Sequence, residues 1–417
     1  MADKIGFVGI GAMGAPMAMR LCQAGFDVAV CDVLPAKVDA FVTAHGGRRA
    51  KTPAEAAAGA RAVFTSVIND RDVQAVTLGP DGIFAALAPG AVVVDHSTVS
   101  AKLARELAAD AKRRGLGFID APVTISNSGA AKGKPEVMAG GDADAMAKTA
   151  PLMQAYASHV RHMGPSGAGQ LCKMTLSFLM AGIMAGLNEG LTLGFRGGIA
   201  APKLVAALMK TEARSWWLEA RGPVMLDNLA KGLDVNTGRA AMLVKDLGLG
   251  LGESRLVDLA LPLAGLVVQL PIRSGPALAP VTPGTTANRD ELVRIVGRVM
   301  IALIAQALAE ALQFVRATGQ DVAKVFAVIH AGSPRTGCFD TMAEAMLAGR
   351  FDAAAGTVDA AIGDLAQGLD DGRRLKIPMP TTSLVAQFLV ELAASGKGGQ
   401  GLGALMARLG RLGGKTS

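Results

Sequence analysis

A glycine-spaced turn sets the terms for the first third of this chain. A β-rich run, Ile5 to Ile10, passes through Gly9-Ile10-Gly11-Ala12-Met13-Gly14 into an apolar-periodic helix that ends near Gly25; a second β-run, Val28 to Cys31, ends at Asp32. At a strand-to-helix junction Gly9 allows the tight turn, Gly11 lets a pyrophosphate approach the backbone, and Gly14 permits close packing of helix on strand. The start of the helix offers unpaired N–H groups to the phosphate charge, with Ile10, Ala12 and Met13 completing the loop. Asp32 stands roughly 20 residues along, where a carboxylate accepts hydrogen bonds from the adenosine ribose and repels a 2′-phosphate. The expected cofactor is therefore NAD rather than NADP.

Further β-runs follow at Ala62 to Ile68, Ala91 to Asp95 and Gly117 to Val123, separated by helical stretches such as Pro53 to Ala60 and Ala101 to Arg114. Alternating strands and helices predict an α/β, Rossmann-like, doubly wound parallel sheet over residues 1–164. Ligands of such a sheet lie beyond the carboxyl ends of its strands, which places Val67, Ile68, Ser97, Thr98 and the segment after Val123 along the cofactor cleft. Thr98 is equally suited to cap a helix beginning near Ser100.

The 417 residues allow two or three domains, and the low charged fraction, 18%, with abundant glycine and alanine, indicates extensive buried helix. The longest uncharged runs, Met174 to Asn188 and Leu259 to Ile272, fall short of the roughly 18 to 20 apolar residues that span a bilayer, so they are expected to be core helices and no membrane partner is expected. The N-terminus carries no visible export signal, which points to the cytoplasm. Cys22, Cys31, Cys172 and Cys338 match neither a zinc spacing nor a disulfide framework; buried thiols and no metal are expected. The net charge of +7 is dispersed, as on a solvated surface, and does not indicate nucleic-acid binding.

Lys173 is harder to place. It stands near the start of "GAGQLCKMTLSFLMA", where an ammonium facing a packed helix interior costs several kcal/mol unless it is paired or shifts its pKa. A lysine whose stem runs along the helix and whose head reaches solvent is one answer. A chemical role is the other.

Three ordered segments together resemble the β-hydroxyacid dehydrogenases, the family of 3-hydroxyisobutyrate dehydrogenase and tartronate semialdehyde reductase. "GFVGIGAMGAPMAMRL" is close to that family's G-x-G-x-M-G-x-x-M opening, although Arg20 stands where an Asn is usual. "DAPVTISNSGA", Asp120 to Ala130, looks like its D-A-P-V-S-G-G-x-x-G-A substrate loop. The lysine segment matches G-x-G-x-x-x-K. The resemblance covers about residues 1 to 270. It implies that Lys173 is the general acid/base and that the 120s loop holds the carboxylate of a small anionic hydroxy acid. Thr124 preserves the family's hydroxyl there, whereas Ile125 and Ser126 add side chains in place of two glycines, which puts pocket size and anion contact in question. Where the family has an Asn pair this chain has Leu176-Ser177, and Ser177 shares a helix face with Lys173. "LVKDLGL" looks like the family's K-D-L-x-L segment and implies that Lys245 approaches the nicotinamide end; by itself it is also a solvated pair on an amphipathic helix.

The resemblance leaves about 125 residues unexplained, and these look like a second copy of the helical domain. Placing Glu189 on Glu310 puts Gly198 on Gly319 and Lys203 on Lys324; with three residues lost, Asp246 then meets Asp364 and Pro262 meets Pro380. The expected organisation is residues 165–272 as a helical substrate and dimerisation-type domain and residues 289–417 as a degenerate all-α repeat, joined by the Pro/Gly-rich segment Pro271 to Asn288. Arg294 falls opposite Lys173 and, being permanently protonated, cannot serve as acid/base. In the family such domains pack against each other across a subunit interface, so a fused copy would supply in one chain the surface that a neighbour normally provides, a plan that 6-phosphogluconate dehydrogenase resembles; a homodimer is compatible with it. The glycine-rich stretch after Ser395 suggests no function.

The reading is an NAD-dependent oxidoreductase that interconverts a short β-hydroxy acid and its oxo acid or semialdehyde. Its competitors are imine or other carbonyl reduction on the same scaffold, disfavoured by Lys173 and Asp32, and a non-catalytic NAD-binding sensor, disfavoured by retention of the lysine.

Overall fold

In the computed structural model the described residues are 3–125, 134–232, 240–270, 289–353 and 356–412. They form two units, residues 1–173 with 320–332, and residues 174–319 with 333–417.

The first unit is built on a nine-stranded sheet. Its strands are β1 (Lys4–Val8), β2 (Asp27–Cys31), β3 (Arg48–Arg49), β4 (Ala62–Thr65), β5 (Val92–Asp95), β6 (Gly117–Asp120), β7 (Val123–Ile125), β8 (Pro135–Gly140) and β9 (His159–Gly164). The order is β3-β2-β1-β4-β5-β6-β8-β7, with β9 on β8. From β3 to β6 every pairing is parallel. The strand order reverses between β1 and β4, the switch point where such sheets open a crevice. Successive residues of each strand alternate between two apolar cores: Ile5, Phe7, Val28, Val30 and Phe64 face one way, Val8, Ala29 and Val63 the other. Both faces are therefore covered, here by helices such as α1 (Gly14–Gln23), α2 (Pro35–His45), α3 (Pro53–Ala57), α4 (Asp70–Leu78), α5 (Ile83–Ala86), α6 (Ala101–Arg113) and α7 (Ala143–Met153).

The single β-run expected over Gly117 to Val123 is interrupted. It breaks at Ala121-Pro122, and β7 resumes antiparallel to β8, which is itself antiparallel to β6. Pro122 has no N–H to continue a central ladder, so the chain turns there. The sheet is consequently mixed beyond β6 rather than parallel throughout.

The second unit is helical. It takes in most of α8 (Ala168–Arg196), then α9 (Ala201–Leu208), α10 (Trp216–Ala230), α11 (Ala240–Arg255), α12 (Pro262–Gln269) and α13 (Arg289–Ala317). α14 (Val322–Ala331) packs on β9 in the first unit, and the chain returns with α15 (Phe339–Leu347), α16 (Val358–Arg374), α17 (Pro380–Leu392) and α18 (Ala404–Leu412). Two helices, α8 and α13, are long and apolar enough by length and composition to cross a bilayer, but most of each apolar stretch is buried within the protein. The glycine-rich stretch after Ser395 holds a packed helix, since Leu402, Leu405, Met406 and Leu409 are buried and α18 lies on α13. Pro271 to Asn288 lies outside the described residues.

α8 and α13 meet through small residues. A Cβ on Gly182 would sit 2.6 Å from the Leu303 carbonyl oxygen, and one on Gly190 2.9 Å from Met300 Cγ. Bulk at such a crossing must push two backbones apart in an interior already packed to crystal density. Gly182→Val is expected to cost about 2–3 kcal/mol and to lower the melting temperature by roughly 5–10 °C in a thermal scan.

Candidate active site

The carboxyl ends of β1, β2, β4, β5 and β6 gather most of the residues singled out from the sequence. Gly9 has φ +90°, and a Cβ there would collide with the Ser66 carbonyl at the end of β4. Gly14 packs so closely on the Gly9 carbonyl that no side chain fits, whereas a Cβ on Gly11 would meet only open space. The three glycines thus differ physically: two close the turn, and the third leaves its backbone approachable. Asp32, at the end of β2, accepts the Ile10 N–H and the Leu34 N–H, each at 3.0 Å, so its carboxylate is fixed beside the turn. Met13, Val33, Leu34 and Ile68, in the segments that follow β1, β2 and β4, are exposed and give these strand ends an apolar rim suited to the flat faces of a bound dinucleotide. The glycine turn, the α1 N-terminus and Asp32 together fit NAD.

Behind this rim runs a polar network that links the strand ends to α8. Thr65 Oγ1 and the Ser97 N–H donate to the same oxygen of Asp95, at 2.6 and 3.0 Å. Val67 N–H donates to Ser97 Oγ at 2.9 Å. Gln170 donates to the Ser97 carbonyl at 2.9 Å and accepts from Val99 N–H at 3.1 Å. Asp120 accepts from Gly167 N–H at 2.7 Å and Gln170 N–H at 3.0 Å, just before α8 and in its first turn. Both aspartates are fully buried. Burial raises Asp95 to about 6, against the hydrogen bonds from Thr65 and Ser97, and Asp120 to about 8, against those from Gly167 and Gln170.

Lys173 lies one turn further along α8, half-buried, and its Nζ donates to the Val123 carbonyl at 3.1 Å. The ammonium is therefore turned toward the first residue of β7, with half-buried Thr124 next in the chain. Ile125 belongs to the same strand, and Ser126 lies outside the described residues. Thr98 is half-buried at the end of β5; the cap of α6 is Ser100, whose Oγ accepts the Leu103 N–H. Ser177, buried, and Lys245, paired with Asp246 at 3.1 Å, belong to the helical unit.

His96 was not singled out from the sequence. Its ring is fully buried between the Ala121 carbonyl and the Tyr156 hydroxyl, both at 2.6 Å, and it stacks on Phe64. It braces the segment where β6 gives way to β7. Asp95, Asp120 and Gln170 also escaped notice, although a lone polar residue closing an apolar strand, as in "VVVDHST" and "GFIDAPV", is the signal that would have found the two aspartates. The four cysteines are free thiols, three of them buried, with burial raising Cys31 and Cys338 to about 11. No group of metal-ligating side chains occurs among the described residues.

This arrangement is that of a nicotinamide-dependent dehydrogenase, and comparison with known proteins narrows it. Residues 4–164 match the model of the NAD-binding domain of 6-phosphogluconate dehydrogenase. Residues 167–276 and 291–409 match the model described as NAD-binding of NADP-dependent 3-hydroxyisobutyrate dehydrogenase. The chain belongs to the β-hydroxyacid dehydrogenase family. It is 35% identical over 270 residues, 64% of this chain and 90% of the relative, to the NAD-dependent L-serine dehydrogenase of Pseudomonas aeruginosa. The crystal structure of 3-hydroxyisobutyrate dehydrogenase from Salmonella typhimurium aligns with a TM-score of 0.57 at 29% identity, over 64% of this chain and 92% of that one. An imine reductase from Pseudomonas sp. aligns over 98% of this chain and 99% of its own at 15% identity, with a TM-score of 0.58, a likeness of fold alone.

Burial lowers His96 from 6.5 to about 4, so the folded protein holds it neutral. A depressed histidine contributes stability that is complete above about pH 6.5 and is lost as the pH falls toward 4. In urea titrations His96→Asn is expected to lose less stability than the native protein between pH 6.5 and 4, the difference being on the order of 2–3 kcal/mol.

Proposed function

We propose that this chain oxidises the hydroxyl of a short β-hydroxy acid with NAD, and that Lys173 is its general acid/base. The observation that carries the reading is the anchoring of Lys173 Nζ on the Val123 carbonyl. One N–H spent on that carbonyl aims the rest of the amine, so the neutral form can direct its lone pair at a substrate hydroxyl. Bound NAD supplies the hydride acceptor. Lys173 takes the hydroxyl proton as the carbonyl forms, and returns it in the reverse direction. Thr124, beside the anchoring residue, offers a hydroxyl to the substrate carboxylate, and Ile125 and Ser126 follow it in the segment proposed to hold that group. Ser177 and Lys245 are proposed to complete the substrate and nicotinamide contacts.

Preference for NAD over NADP rests on Asp32. Its fixed carboxylate would repel a 2′-phosphate, and the next residues, Val33 and Leu34, offer no compensating cation. Relatives named for L-serine and for 3-hydroxyisobutyrate as substrates support a small polar acid with its alcohol near the carboxylate. A small metabolite and four free thiols fit a cytoplasmic setting.

The deciding experiment follows NADH formation from NAD with a panel of short 2- and 3-hydroxy acids. Lys173→Ala should lower kcat by roughly 10²- to 10⁴-fold while NAD still binds, as read by quenching of protein fluorescence. Binding of NAD with no turnover of any panel member would sink the hydroxy-acid reading and favour the sensor. In a second measurement Asp32→Ser should raise KM for NAD at least about tenfold and narrow the gap between NAD and NADP, since each lost charge-assisted hydrogen bond is worth about 1.5–3 kcal/mol.

A further inference from the structure

We infer that the helical region is a covalent pair of equivalent halves related by an internal two-fold axis, each half capping the start of a helix in the other with a buried glutamate. Placing Glu189 on Glu310 carries the ends of α8 onto those of α13, Ala168 onto Arg289 and Arg196 onto Ala317. The second alignment block, in which Pro262 meets Pro380, carries Leu263 and Ala264 onto Thr381 and Thr382.

The buried contacts follow the same correspondence. Glu189, on α8, accepts the N–H groups of Thr381 at 2.8 Å and Thr382 at 2.9 Å, at the start of α17. Glu310, on α13, accepts those of Leu263 at 2.7 Å and Ala264 at 3.0 Å, at the start of α12. Each glutamate therefore caps a helix of the opposite half, and the two capped helices, α12 and α17, are counterparts. Ser215 and Thr336, which are counterparts, pair with each other in an antiparallel bridge, as residues on a two-fold axis must. Gly182 lies against Leu303, its own counterpart, and against Ala307, the counterpart of Gly186. Such contacts are isologous: one patch meets a second copy of itself.

The halves have diverged where the first carries Lys173. Its counterpart Arg294 is clamped by Glu291 at 2.7 Å and by Asp364 at 2.6 Å. A guanidinium held by two carboxylates stays charged and exchanges no proton, so the second half serves as a built-in partner rather than a second site.

The pairing is independent of the chemistry proposed above and is testable on the full chain. A protease site inserted between Gly275 and Gly284 would allow the folded protein to be cut between the halves. The two pieces should then co-elute one to one at micromolar concentration, and Glu189→Gln or Glu310→Gln should raise the concentration at which they part at least tenfold. In the uncut protein, Glu189→Gln should accelerate hydrogen exchange at Thr381 and Thr382 but not at Leu263 and Ala264, and Glu310→Gln should do the reverse. Pieces that separate on cutting, or exchange that stays slow at both helix starts in either variant, would overturn the reciprocal capping.

Discussion

The dinucleotide unit depends on Asp120. A helix begins with amides that have no partner inside the helix, and the start of α8 is buried, so water cannot serve them. Asp120 supplies two of the missing acceptors from the end of β6, to Gly167 just before α8 and to Gln170 in its first turn. A carboxyl group taken out of water is costly, and two hydrogen bonds from backbone N–H groups offset part of that cost. In return, the first turn of α8 cannot slide along the sheet. Lys173 is carried on the next turn, and its contact with Val123 is set by this joint rather than by the lysine's own flexible stem.

The same solution recurs at two other helix starts. α12 and α17 each open on proline, whose missing N–H costs nothing at that position, and the following two amides remain to be satisfied. In each case a buried glutamate from a distant helix meets both. Burial raises Glu310 to about 7 and Glu189 in the same direction, against the hydrogen bonds each receives. A raised carboxyl contributes its stability below its unfolded value and loses it as the pH climbs toward the folded one, so the Glu310 joint weakens as the pH rises from the usual carboxylate range to about 7.

What could be read from the sequence was local. The glycine turn, the strand ending in Asp32 and the alternation of strands with helices are patterns within a few tens of residues, and Gly9, Gly14 and Asp32 stand where those patterns require. The break at Ala121-Pro122 was missed because a run of apolar residues looks continuous until proline's missing donor is set against the ladder it would interrupt. Asp120 and Gln170 were missed for a different reason. Their partners lie dozens of residues away, and a polar side chain in an apolar run does not say which distant amide it serves. Glu189 appeared only as an alignment landmark; that it reaches Thr381, 192 residues on, depends on packing no periodicity reveals.

The contact of Gly182 with Leu303 has a further meaning. In an assembly of identical chains, the residue nearest a two-fold axis faces itself, so any enlargement is met by an equal enlargement and any void by an equal void. On the pairing inferred above, joining the halves in one polypeptide removes that constraint. Small can then oppose large at the very position where identical subunits would be forced to match. The pairing of Gly182 with Leu303, and of Lys173 with Arg294 in the alignment, is the kind of inequality that such a fused pair can accumulate and two identical subunits cannot.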